Sequence, residues 1–149
     1  MTLTIRPADL RDTRGLRKMI HALARHHGDV PSVTEAELHR DLFRPPVSAY
    51  ALVAEIDGGL CGYALLAPLL RAHTAERAMD VINLYVSPDH RGEGIGRKLV
   101  EAARAAAVNR GASRLTIGTS PKNPAAQAFY RHLGLTQMAE SGPRFVEIL

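Results

Sequence analysis

The chain contains one cysteine, no tryptophan and only 5% aromatic residues, and it has no long block of like charge. Each shortage removes a class of protein. A lone Cys61 rules out an internal disulfide and leaves no cysteine cluster for structural zinc, which fits a reducing compartment, so the cytoplasm is the expected location. The seven histidines show neither His-Glu-x-x-His nor paired Cys/His spacing, and no metal is expected. A formal charge of +4 would suit an anionic partner, but the 19 Lys and Arg residues are scattered and few aromatics lie among them to stack bases. Nucleic acid is therefore not the expected partner; a small anionic ligand is. Apolar stretches fall short of the roughly 20 residues that span a bilayer, and MTLTIRPADL has no basic region followed by an apolar core. Neither a membrane span nor a signal peptide is expected.

What the chain does have is 46% hydrophobic residues over 149 positions, enough for a single well-buried domain covering residues 1–149. TLTIRPA reads as a strand. Asp9 or Asp12 then caps a helix through LRKMIHALARHHG, with Leu16, Met19, Ile20 and Leu23 on one face and a stop at Gly28. SVTEAELHRDLF reads as a second helix opened by Ser32 or Thr34 and closed before Pro45-Pro46. AYALVAEI and LCGYALLAPL flank Asp57-Gly58-Gly59, an antiparallel hairpin, because Asp-Gly tolerates the positive φ of a tight turn. AMDVINLYV is a further strand, GIGRKLVEAARAAAVNRG a helix, SRLTIGTS a strand and NPAAQAFYRHLG a helix with a proline in its first turn. LTQMAE and RFVEIL read as a closing hairpin. The order β-α-α-β-β-β-α-β-α-β-β predicts an α/β (α+β) fold: a mixed, mostly antiparallel six- to seven-stranded sheet flanked by four helices.

Residues 90 to 99, HRGEGIGRKL, carry three glycines in five positions just ahead of a helix. So much bare backbone implies that something approaches the main chain closely. A P-loop requires Ser or Thr after Lys98, where Leu99 stands; a dinucleotide fingerprint requires a third glycine at 97, where Arg stands. What remains is Arg91-x-x-Gly94-x-Gly96 after a strand. There the unpaired amides of a helix start carry the positive end of its dipole and can cradle a pyrophosphate. Arg97 and Lys98 work against that dipole unless an anion is bound.

On these residues, LYVSPDHRGEGIGRKLVEAA resembles motif A of the GNAT superfamily of N-acetyltransferases, Gln/Arg-x-x-Gly-x-Gly/Ala, and NPAAQAFYRHLGL resembles their motif B. VTEAELHRDLF followed by AYALVAE resembles the spermidine/spermine (diamine/thialysine) branch, so the likeness is essentially full length. The resemblance implies acetyl-CoA as cosubstrate, held by the main chain of Arg91, Gly92, Glu93, Gly94, Ile95, Gly96 and Arg97. It places the pantetheine arm along Leu84, Tyr85 and Val86, and Asn123 and Tyr130 also against the cofactor. A homodimer is implied as well, with the C-terminal strands and second helix as contacts.

Acetyl transfer to an amine needs a free nitrogen lone pair, a polarised thioester carbonyl and a proton for the departing thiolate. Tyr130, which stands at the Phe-Tyr position of the family's motif B, is by that resemblance the candidate acid, although a tyrosine packing helix on sheet would read the same way in sequence. The amide of Val86 or its neighbour is the oxyanion donor. Acids of the polyamine enzymes are replaced by Ile82 and Asn83, which leaves Asn83 a candidate acceptor contact and Asp80 the candidate base. Asp80 is expected on the strand face of Ile82 and Leu84; an exposed strand-end Asp without a role would look identical. The branch's substrate contacts near the C-terminal hairpin fall at Ser141, Gly142 and Pro143, so its pocket is not carried over. Cys61, mid-strand in an apolar run, reads as an inert buried thiol, and direct attack in a ternary complex is expected. Three readings stay open: a small-molecule amine N-acetyltransferase, a protein or peptide acetyltransferase, and a non-catalytic acyl-CoA sensor.

Overall fold

A computed structural model describes residues 2–139 and 142–149. The chain divides into two compact units, Met1–Gly118 and Thr119–Leu149. The first holds strands β1 (Leu3–Pro7), β2 (Tyr50–Ile56), β3 (Gly59–Arg71), β4 (Glu76–Val86) and β5 (Arg114–Ile117), with helices α1 (Thr13–His26), α2 (Glu35–Leu42) and α3 (Ile95–Asn109). The strands form one sheet in the order β1-β2-β3-β4-β5, antiparallel up to β4, with β4 and β5 parallel.

Both faces of the sheet are covered, which explains its near-continuous apolar strands. On one face Leu52, Ala54, Ala64, Leu66, Met79 and Val81 pack with Ile95, Leu99, Ala103 and Ala107 of α3. On the other, Ala51, Val53, Tyr63 and Tyr85 pack with Leu16 and Met19 of α1 and Leu38 and Leu42 of α2. The local signals work as chemistry predicts. Thr34 and Glu37 form a capping box at α2, and Asp57 (φ 50) with Gly58 (φ 82) turn the hairpin. No helix among the described residues is long and apolar enough to cross a membrane.

The start of α1 is more elaborate than expected. Asp9 caps a short 3-10 turn, Leu10–Asp12, which runs directly into the helix. Asp12 is buried and takes both arms of the Arg6 guanidinium, at 2.7 and 2.9 Å, while Arg6 also engages Glu55 of β2. This network ties β1, β2 and the helix entrance together. Arg6 is the main reason the Asp12 carboxyl sits below its ordinary value, against the opposing effect of its burial. Asp12→Asn is expected to cost about 2 kcal/mol at neutral pH. Because the folded value is depressed, that contribution is complete above the unfolded-chain value of about 3.9 and is lost as pH falls through the folded one. Denaturant unfolding at pH 7 and again below pH 3 should show the gap between wild type and variant closing.

The second unit holds α4 (Pro124–His132), opened by Asn123, whose side chain accepts from the Ala126 amide, and by Pro124 at the first helical position. The expected closing hairpin is not there. Residues 135–139 and 142–149 carry no strand, Glu140 at the end of LTQMAE lies outside the described residues, and the sheet has five strands rather than six or seven. An isolated hairpin holds only when one face is buried, and in RFVEIL the side chains of Phe145, Val146, Ile148 and Leu149 are nearly fully exposed.

Candidate functional site

β4 is where the sheet opens. Its ladder with β5 runs only from Ala78↔Arg114 to Val81↔Ile117, whereas its ladder with β3 continues to Gly62↔Val86. From Ile82 to Val86 one edge of the main chain therefore has no strand partner among the described residues. Gly62 allows β3 to run close behind it: a Cβ there would sit 2.7 Å from the Tyr85 carbonyl oxygen. A glycine in a strand interior commonly marks such an approach.

The chain leaves this edge through a 3-10 turn, Pro88–His90, and enters the glycine loop. Arg91 folds back to donate from Nε to the Val86 carbonyl at 3.0 Å, and Glu93 meets His90 at 3.2 Å. Gly92 and Gly94 take φ values of +82° and +81°, a region closed to most side chains. Gly94 is the N-cap of α3 and offers no side chain to the first-turn amides of Ile95, Gly96 and Arg97. Ile95, buried at 2% exposure, pins the helix start to the core. No acid lies in that first turn, while Arg97 and Lys98 are exposed there. Nothing lies within 4 Å of where a Cβ would project from Gly92 or Gly94. The result is an uncapped, cation-flanked helix start facing open space, which suits a phosphate-bearing ligand.

On the opposite face from α3 a second set of polar groups gathers. The pairing of β3 with β4 slips between Leu65 and Leu66, so Ile82 has no partner and forms a bulge. The bulge reverses the side-chain alternation. Met79 and Val81 before it, and Leu84 and Val86 after it, all pack on the α3 side. Asp80 consequently shares its face with Asn83 and Tyr85, not with Leu84 as simple alternation predicted. Asp80 accepts a hydrogen bond from Thr116 at 2.6 Å, and the Tyr63 hydroxyl donates to Asn83 Oδ1 at 3.2 Å. Burial pushes the Tyr63 phenol far above its ordinary value, and its ring lies 5.9 Å from that of Tyr85.

In the second unit, Asn123 spends its carbonyl oxygen on the α4 cap. Tyr130 stacks at a tilt on Phe129, with centroids 5.6 Å apart, and burial pushes its phenol upward. Ser141 lies outside the described residues; Gly142 and Pro143 are exposed.

Residues 16–135 match the profile of the Acetyltransferase (GNAT) family. The chain belongs to that family. A thialysine N-epsilon-acetyltransferase from Sus scrofa is 29% identical to this acetyltransferase, the match covering 94% of this chain and 88% of the relative. The Mus musculus enzyme of the same name is 30% identical over 92% and 86%. Among solved structures, AAC(6')-Iy in complex with the bisubstrate analog CoA-S-monomethyl-acetylneamine shares the fold. Its TM-score is 0.83 over 99% of this chain and 100% of that one, at 18% identity.

Within the first unit, the acetyltransferase runs Leu84, Tyr85 and Val86 toward the loop from Arg91 to Arg97, and sets Asp80 and Asn83 with Tyr85 on the face of that strand opposite Leu84 and Val86. Sequence reasoning missed Gly62, Tyr63 and Thr116. Gly62 was findable as a glycine inside an apolar strand run. Thr116 gives no local signal, because its partner is 36 residues away on a parallel strand.

Proposed function

We propose that the protein transfers the acetyl group of acetyl-CoA to a primary amine of a small molecule, such as a diamine or an amino acid, by direct attack in a ternary complex. The observation that carries this reading is the uncapped start of α3 opening beside the unpaired edge of β4. Diphosphate is held by amides from Arg91, Gly92, Glu93, Gly94, Ile95, Gly96 and Arg97, and the pantetheine arm adds as a further strand along Leu84, Tyr85 and Val86. The matches to thialysine acetyltransferases over most of both chains favour a small amine as acceptor.

Asp80 takes a proton from the acceptor's ammonium, directly or through a water, and Asn83 contacts the acceptor. The freed nitrogen bonds to the thioester carbonyl carbon while the Val86 amide donates to the developing oxyanion. The C–S bond then breaks as Tyr130 donates toward sulfur. The acid role of Tyr130 and the cofactor contact of Asn123 rest on the likeness to motif B. Residues 1–149 are taken as one N-acetyltransferase domain acting in the cytoplasm as a homodimer; the family likeness supports the domain and the dimer, and the single cysteine the reducing compartment.

The test is release of coenzyme A thiol with thialysine, L-lysine, propane-1,3-diamine and a lysine-containing peptide as acceptors, both substrates varied. Intersecting initial-velocity lines and a preference for the small amines are expected. Parallel lines would replace direct attack with an acetyl-enzyme, preference for the peptide would make the protein a peptide acetyltransferase, and tight acetyl-CoA binding without any turnover would make it a sensor.

A further inference from the structure

Among the described residues, the β-strands carry three carboxylates: Glu55, Glu76 and Asp80. Glu55 pairs with Arg6, and Glu76 pairs with both Arg71 and Arg114. Asp80 forms no ion pair among the described residues. It is half-buried, stands one residue before the end of the β4–β5 ladder where the strands part, and is flanked along β4 by the uncharged Ile82 and Asn83. Its hydrogen bond comes from the Thr116 hydroxyl, at 2.6 Å, from the residue paired with it across the ladder. A short bond from a hydroxyl to a carboxylate is among the stronger kinds, and here both ends stand on sheet backbone. An anion held rigidly and left without a cation, beside the point where two strands part, is prepared for a positively charged ligand, because little freedom remains to be lost on binding.

We propose that Thr116 and Asp80 act as one unit that receives the ammonium of the acceptor. Thr116 is a positioning residue: it engages Oδ1 and leaves Oδ2 for the cation. One carboxylate with uncharged neighbours selects an acceptor by a single ammonium at the reacting end, not by two closely spaced charges. This inference rests on the acetyl-transfer reading above.

The test compares wild type, Thr116→Val, Thr116→Ser, Asp80→Asn and the double variant Asp80→Asn/Thr116→Val, with acetyl-CoA and thialysine. Thr116→Val is expected to lower kcat/KM for the amine about tenfold, chiefly through KM, the size of one charge-assisted hydrogen bond. The KM for acetyl-CoA should be unchanged, and Thr116→Ser should retain wild-type behaviour. The double variant should be no worse than Asp80→Asn alone, since the hydroxyl has nothing left to position. Thr116→Ala gives the same readout if the valine variant is unstable. Additive losses, an equal rise in the KM for acetyl-CoA, or full activity in Thr116→Val would overturn the proposal while leaving acetyl transfer standing. A wild type that acetylates no amine would remove both.

Discussion

Phenylalanine in place of Tyr130 is expected to lower kcat about a hundredfold, the low end of what a positioned proton donor contributes, while acetyl-CoA affinity stays within about twofold. The reason lies in when the hydroxyl is needed. A ground-state thioester sulfur is a poor acceptor, but as the C–S bond stretches it gathers charge, so the phenol's bond strengthens only near the transition state. Burial raises the Tyr130 phenol above its ordinary value of about 10, which keeps it protonated throughout the neutral range. Full transfer to a thiolate of ordinary value about 8.5 is then uphill by at least roughly 2 kcal/mol. In the mechanism proposed above, the hydroxyl would act mainly as a hydrogen-bond donor to the departing sulfur, and the proton that neutralises the thiolate would come from the attacking nitrogen as the amide forms. The tilted ring contact with Phe129 needs no oxygen and survives the substitution. Calorimetric titration with acetyl-CoA beside steady-state rates with thialysine separates the outcomes: equal losses in affinity and kcat would reduce Tyr130 to packing.

What could be read from the chain alone follows how local each signal is. The loop from Arg91 to Arg97 was legible because its parts are consecutive: a strand, three glycines in five positions and an amphipathic helix leave little else for the backbone to do. The cap of the second helix was legible only as Ser32 or Thr34; the structure selects Thr34, which satisfies Glu37 and is satisfied by it within four residues. Asp80 shows where this stops. Its distance from Leu84 along the strand was countable, but its face depends on a bulge at Ile82 created by pairing with β3, and a one-residue slip exchanges the two faces of a strand. Its Thr116 partner exists only once β5 is laid parallel to β4. The C-terminal RFVEIL has good strand propensity and no strand, because propensity describes what suits a half-buried pleated surface and cannot supply one.

Gly94→Val should raise the dissociation constant for acetyl-CoA at least about a hundredfold, some 3 kcal/mol or more, with only a small loss of stability. Two effects combine. Gly94 has φ +81°, where a β-branched residue is strained by roughly 1–2 kcal/mol, so the loop relaxes away from the conformation that aims the first-turn amides outward. The new methyl groups would also stand in the open space in front of those amides, where nothing of the protein lies within 4 Å. That same openness is why the fold tolerates the change: no packed neighbour has to move, and α3 stays anchored through Ile95, Leu99, Val100 and Ala103. Gly111 provides the control. It follows the other end of α3 with φ +80° and equally open surroundings, so Gly111→Val carries the same backbone strain away from the loop. Both variants should lose a similar amount of thermal stability, and only Gly94→Val should lose the ligand. If both bound acetyl-CoA as wild type does, the diphosphate would not lie on this helix start; if both lost it equally, strain transmitted through α3, and not contact at the loop, would be the cause.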